Sequence, residues 1–195
     1  MTASGTDRSG SGARVVAGPG AELPETAAGS AHCRTARVRR ATSDDIPALV
    51  RMRALMLSDM GLDTGDERAP WRAASARWFA GRMPLSDEFA AFLVEDPELG
   101  VVACAVGACD AHAPSPANPS GLHGHVSNVS TDPRRRRLGH ARACLDALLT
   151  WFEQETRAAV VSLNATGDGA GLYASFGFAP PPHPSLQLRT AGPSA

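Results

Sequence analysis

The densest concentration of chemistry in this sequence is the run Val129-Ser130-Thr131-Asp132-Pro133-Arg134-Arg135-Arg136-Arg137-Leu138-Gly139-His140-Ala141-Arg142. It passes from a strand-like pattern through a proline turn into the most strongly periodic helix of the chain. A helix N-terminus presents unpaired backbone N–H groups and the positive end of the helix dipole, and a diphosphate suits both. Gly139 and the small Ala141 let phosphates come close to the backbone, and Arg136 adds charge at the helix entrance. Nucleic acid is the competing ligand for four arginines. The formal net charge of −1 and the lack of interleaved aromatic residues argue against it.

Other side chains carry weaker signals. Cys33, Cys104, Cys109 and Cys144 form no CxxC pair and no ligand-like spacing with histidine, so reduced, mostly buried thiols are expected and no metal site. His123, His125 and Glu95 lie on expected strands where a proton acceptor could face a cleft, His125 being the best placed. Met52, Met56 and Met60 recur at helical spacing, which suits core packing or a malleable pocket wall. Asp63, Asp66 and Glu67 make an acidic loop that reads as solvated surface or as a lure for a cationic amine.

The elements that position these groups follow from period and punctuation. A short strand around Val38 leads to Thr42, a capping residue, and a helix over Ser43–Asp59 whose stripe of Ile46, Leu49, Val50, Met52, Met56 and Leu57 is closed by Gly61. A second helix runs over Pro70–Arg82 with proline in its first turn. Phe89–Val94 and Val101–Ala108 form a hairpin, hence an antiparallel pair, and Leu122–Thr131 is a strand stopped by Pro133. Leu138, Ala141, Leu145, Leu148, Leu149 and Phe152 form the clearest helical stripe. Ala159–Leu163 reads as a strand and Asp168 caps a helix through Ser175. Phe178 and Leu186–Leu188 are expected as last strand segments, separated by Pro180, Pro181, Pro182 and Pro184. The sum is one mixed α/β layered domain over residues 37–190.

A chain of 195 residues with 43% apolar and 20% charged residues supports one hydrophobic core. No apolar run approaches the roughly 20 residues that span a bilayer. Val15-Val16-Ala17 gives way at once to Gly18-Pro19-Gly20, which is no secretory signal, so the cytoplasm is the expected compartment. Residues 1–36 are rich in Gly, Ser, Ala and Thr and read as a disordered tail, and 191–195 as a flexible end.

In Arg136-Arg137-Leu138-Gly139-His140-Ala141, preceded by Pro133, the sequence resembles the acetyl-CoA-binding loop of the GNAT acetyltransferases. Arg137 stands where many members have Gly, and Ala141 replaces the commoner second Gly. A second segment, Asn164 to Phe178, is similar to that family's strand end and following helix through Leu172-Tyr173 and Gly177-Phe178. The resemblance implies a mixed, mostly antiparallel central sheet flanked by helices on both faces. The strands through Asn128 and Asn164 would splay, often helped by a bulge, to form the acyl-CoA cleft.

It further implies a cofactor site of Val129, Thr131, Arg136, Arg137, Leu138, Gly139, His140, Ala141, Arg142 and Asn164, with the backbone of Val129 and Thr131 bonding pantetheine. A primary amine would attack the thioester, and Tyr173, the one tyrosine of the chain, would return a proton to the departing thiolate. For the general base the resemblance points to no residue, and of His123, His125 and Glu95 the strand positions favour His125. The acceptor segments would be Leu55–Arg82 and Asp110–Gly121. The first expectation for the acceptor is a small-molecule amine, the second a protein N-terminus or lysine. A non-catalytic acyl-CoA-binding module is the alternative of a different class. No nucleic acid or membrane partner is implied, and the chain would be a monomer or homodimer.

Overall fold

The computed structural model describes residues 37–190. The expected tail over 1–36 and the end at 191–195 lie outside the described residues. Five strands form one sheet in sequence order: β1 Val38–Arg40, β2 Phe89–Asp96, β3 Gly100–Ala111, β4 Leu122–Thr131 and β5 Val160–Leu163. The first four are antiparallel neighbours, and β5 lies parallel to β4. The expected mixed, mostly antiparallel sheet is what forms.

Helices α1 Ile46–Asp59 and α2 Pro70–Arg82 pack on one face, and α3 His140–Glu155 on the other. The division follows strand alternation. Phe89, Ala91 and Leu93 meet Leu49, Met52 and Phe79 of the first two helices. Their neighbours Ala90 and Val94 meet Leu145, Leu148, Trp151 and Phe152 of α3. A single turn of 3₁₀ helix, Ser43–Asp45, precedes α1, and Asp45 accepts from the Thr42 backbone N–H at 2.8 Å. None of the helices among the described residues is long and apolar enough to cross a membrane.

Two glycines seat the Phe152 ring on the α3 face. A Cβ on Gly124 would lie 2.5 Å from Phe152 Cε1, and one on Gly107 would lie 2.7 Å from Phe152 Cζ. Phe152 is itself buried, so its ring cannot retreat to solvent. Gly124→Ala is expected to cost about 1–3 kcal/mol through overpacking, read as a lowered urea midpoint. Adding Phe152→Leu should recover part of that loss, because the shorter side chain vacates the contact.

The C-terminal expectations hold in part, the helix in place but shorter and the strands absent among the described residues. The helix expected through Ser175 is a 3₁₀ turn, Gly167–Gly169, followed by the five-residue helix α4, Ala170–Ala174. Phe178 and Leu186–Leu188 form no strand, and among the described residues β5 remains the last strand of the sheet. Four prolines between them lack the N–H that a ladder needs. Leu138, read as the start of the α3 stripe, precedes the helix and is 62% exposed.

Candidate functional site

The four arginines divide into two pairs with different work. Asp132, buried at the end of β4, accepts from the Arg134 backbone N–H at 3.0 Å and from its guanidinium at 2.9 and 2.8 Å. The Arg134 guanidinium holds the Asp132 carboxyl down at about 2, well below the usual carboxylate range. Arg135 donates to Asp96 at 2.6 Å. Both side chains therefore brace the turn Pro133–Arg135, and it is Arg136 and Arg137 that face the cleft.

Arg137 has φ +67° and Gly139 φ +81°, so two left-handed residues bend the chain into α3. Glycine adopts that conformation freely, whereas another residue is strained by about 1–2 kcal/mol. Arg137→Gly should relieve this strain, partly offset by glycine's greater freedom in the unfolded chain. The ligand-free protein is expected to gain about 0.5 kcal/mol, or roughly 1–2 °C in thermal midpoint by calorimetry.

Gly139 is the N-cap of α3, and no side chain caps the helix. The first N–H to bond back is that of Ala143, to Gly139 O at 3.0 Å. The amides of His140, Ala141 and Arg142 thus stay free of intrahelical partners, with no acidic residue in the first turn to compete for them. The Arg142 guanidinium donates to Ser175 Oγ at 2.7 Å and lies 5.1 Å from the Phe176 ring, tying α3 to the segment after α4.

The cleft itself comes from strand geometry. β5 pairs with β4 only from His123–Val160 to Val126–Leu163 and then stops, while β4 runs on to Thr131. In the β3–β4 ladder Val106 faces Asn128 and Gly107 faces Val126, so Ser127 is an extra, bulged residue. The bulge shifts the side-chain phase of β4. Val126 points to the α3 core, whereas Asn128 donates from Nδ2 to Cys104 Sγ at 3.1 Å on the α1 side. Burial pushes the Cys104 thiol up to about 12, so it stays neutral. Cys109 and Cys144 are likewise buried free thiols.

The parting strands open a cleft of about 960 Å³. Val129 and Thr131 of β4, Arg136, Arg137, Gly139, His140, Ala141 and Arg142 of the loop and α3, Asn164 after β5, and Tyr173 of α4 all line it. Leu138 does not. Neither does His125, whose Nδ1 lies 3.2 Å from Ser162 Oγ on β5. His123 stacks on His112 with ring centroids 4.5 Å apart, and Glu95 accepts from Arg39 at 2.5 Å, so neither alternative base reaches the cleft.

Tyr173 is half-buried, with its ring edge-on to Phe178 at 6.1 Å between centroids. A Cβ on Gly169 would come within 2.8 Å of that ring, so the glycine makes its room. Burial raises the phenol above its ordinary value, which keeps it protonated at neutral pH. Its hydroxyl has no hydrogen-bond partner among the described residues and is free to donate.

Of the wall opposite, sequence reasoning offered Met56 and Met60 but missed Asp59. Met56, Asp59 and Met60, from the end of α1 and the residue after it, line the cleft, and Arg136 donates to Asp59 at 2.6 Å. Met52 is core, so the methionine row splits between packing and pocket. Asp168, read as a helix cap, is the second carboxylate of the lining. Of the expected acceptor segments, Met56, Asp59 and Met60 reach the cleft, while no residue of Asp110–Gly121 does. Asp63 and Asp66 instead accept from the nearby backbone N–H groups of Gly65 and Arg68.

Among solved structures, a predicted acetyltransferase from Clostridium acetobutylicum, crystallised with acetyl-CoA, has a TM-score of 0.69 at 24% identity over 78% of this chain and 95% of its own. A GCN5-related N-acetyltransferase from Ralstonia eutropha scores 0.64 at 24% identity, covering 78% and 97%. Glucosamine-6-phosphate N-acetyltransferase from Arabidopsis thaliana scores 0.58 at 16% identity, covering 81% and 99%. No curated protein matches by sequence. The family model described as the acetyltransferase (GNAT) family matches residues 57–178, more than half of the chain. With that match over more than half of its length, this chain belongs to the GNAT acetyltransferases.

Proposed function

We infer that the chain moves the acetyl group of acetyl-CoA to a primary amine of a small molecule. The observation that carries this reading is one cleft lined both by the residues of the free α3 amides with two arginines and by a protonated phenol. The amides of His140, Ala141 and Arg142, with Arg136 and Arg137, hold the diphosphate. The unpaired edge of β4 at Val129 and Thr131 takes pantetheine as a pseudo-strand, and Asn164 closes the β5 side. The neutral amine attacks the thioester carbon, and a β4 backbone N–H near Val129 stabilises the oxyanion. As the tetrahedral intermediate collapses, the C–S bond breaks and Tyr173 gives its proton to the thiolate.

The acceptor's own proton must leave within the same cleft. Asp168 lines it and has no ion-pair partner among the described residues, which suits this role better than His125 in its place beside Ser162. Asp59 is engaged by Arg136 at 2.6 Å, so the carboxylate left to favour a compact amine bearing positive charge over a peptide is Asp168, beside the apolar side chains of Met56 and Met60.

Thiol release from acetyl-CoA, measured against a panel of amino sugars, amino acids, polyamines and N-terminal peptides, tests the reading. Turnover with a small amine supports it. Turnover with peptides alone would reassign the acceptor, and tight cofactor binding without turnover on any amine would make the domain a binding module.

A further inference from the structure

Tyr173 stands on the least supported element of the domain. α4 is five residues long and contributes no buried residue, and the turn Gly167–Gly169 before it contributes none either. Among the described residues no hydrogen bond ends on the Tyr173 hydroxyl, so the phenol is not fixed at its tip. Its place is set through the backbone instead. Leu172, Tyr173 and Phe176 pack half-buried against the α3 core, and the N–H groups of Phe176 and Phe178 bond back to Tyr173 O at 3.0 and 3.2 Å.

One side chain of α3 reaches across this turn. Arg142 donates to Ser175 Oγ at 2.7 Å, and Ser175 Oγ donates in turn to Leu172 O at 2.6 Å. The same guanidinium lies 5.1 Å from the centroid of the Phe176 ring. Its contacts thus fall on both sides of Tyr173 in the chain, and they issue from a helix that is itself seated by buried Leu145 and Leu148. A charge-assisted hydrogen bond and a cation–π contact are each modest at an exposed site. Here they act on a helix with no buried side chain of its own to outweigh them.

We propose that Arg142 is a positioning residue for the acid: its guanidinium, through Ser175 and Phe176, holds α4 so that the Tyr173 hydroxyl stays in the cleft. Only the backbone amide of Arg142 then serves the diphosphate. Proton transfer requires a donor within hydrogen-bond reach, so a small displacement of α4 is felt in the rate and not in cofactor affinity. The proposal rests on the reading of Tyr173 as proton donor.

The test uses Arg142→Met and Ser175→Ala in the full chain, both at exposed positions outside the core. Each should lower kcat by roughly tenfold, the weight of one hydrogen bond, with acetyl-CoA affinity unchanged by calorimetry. On a Tyr173→Phe background Ser175→Ala should cost nothing more, since the hydroxyl it positions is gone. Tyr173 is the one tyrosine of the chain, so ultraviolet absorbance follows its ionisation directly. Burial holds this phenol above its ordinary value. A loosened α4 should lower it towards that value in both variants, whereas loss of a nearby cation alone would raise it. An unchanged kcat or an unchanged phenol titration in either variant overturns the proposal. So does a further loss on the Tyr173→Phe background. Weaker acetyl-CoA binding by Arg142→Met but not by Ser175→Ala overturns it too, and makes the guanidinium a phosphate ligand. Wild-type turnover by Tyr173→Phe itself would overturn the acid assignment and this proposal together, an outcome distinct from the others.

Discussion

Tyr173→Phe should turn over about a hundredfold more slowly than the wild type while binding acetyl-CoA equally well. The substitution keeps the ring against Phe178 and in the room left by Gly169, and removes only the hydroxyl. A positioned acid contributes roughly 10²–10⁴-fold. A thiolate whose acid has a pKa of about 8.5 is already a fair leaving group, so the lower end applies, about 2.7 kcal/mol of transition-state stabilisation. Burial raises the phenol above its ordinary value, so the protonated acid persists through neutral pH. A rate loss from ionising this acid should appear only above the usual tyrosine range, and Tyr173→Phe should abolish that limb. The measurement is steady-state turnover over pH with calorimetric acetyl-CoA affinity for both proteins. Wild-type turnover by a folded mutant, with chemistry rate-limiting, would make Tyr173 a packing residue.

Gly139→Glu should raise the acetyl-CoA dissociation constant by about 10–100-fold, or roughly 1.4–2.7 kcal/mol. A Cβ at this position meets no protein atom within 4 Å, so the added side chain projects into open space at the cleft rather than into the core. Its carboxylate would compete with the diphosphate for the amides of His140, Ala141 and Arg142 and would repel it. Gly139→Ala separates the causes, because it carries the strain of φ +81° without the charge. The alanine variant is expected to lose about 1–2 kcal/mol of stability and to bind more weakly only through a displaced loop. Calorimetric titration with acetyl-CoA at low and high salt checks the pair: only the glutamate variant should regain affinity as salt screens its charge. Equal affinities for wild type and Gly139→Glu would move the diphosphate away from this helix.

Local signals carried far in this chain. Pro70 in the first turn sets the start of α2 at the residue the sequence marks, because a helix start is a short-range property, although Phe79 is the one buried residue of that helix and Trp78 is exposed. β4 likewise begins at Leu122 and ends before Pro133, which cannot extend a ladder. The turn into α3 was legible for the same reason. A proline turn, a glycine and a strong helix lie in one continuous segment, and their chemistry depends little on what surrounds them.

What depended on distant contacts was not legible. The sequence assigned Arg136 and Arg137 to the cofactor and gave Arg134 and Arg135 no role; Asp132 and Asp96 claim those two, and Asp96 belongs to a strand that only the fold brings alongside. The extra residue at Ser127 turns Asn128 from the α3 face to the α1 face, a reversal that strict alternation cannot foresee because it exists only in the pairing with β3. Met56 and Asp59 look like the outer end of a helix until tertiary packing sets that end beside Arg136. Residues 186–188 have the period of a strand, yet a strand is a relation between two backbones, and within this chain's described residues no edge meets them. Sequence thus marked most of the elements and the proline turn, glycine and helix entrance before α3, whose causes are local. The tertiary structure decided which side chains share the cleft, because hydrogen bonds and ion pairs across it join residues far apart in the chain.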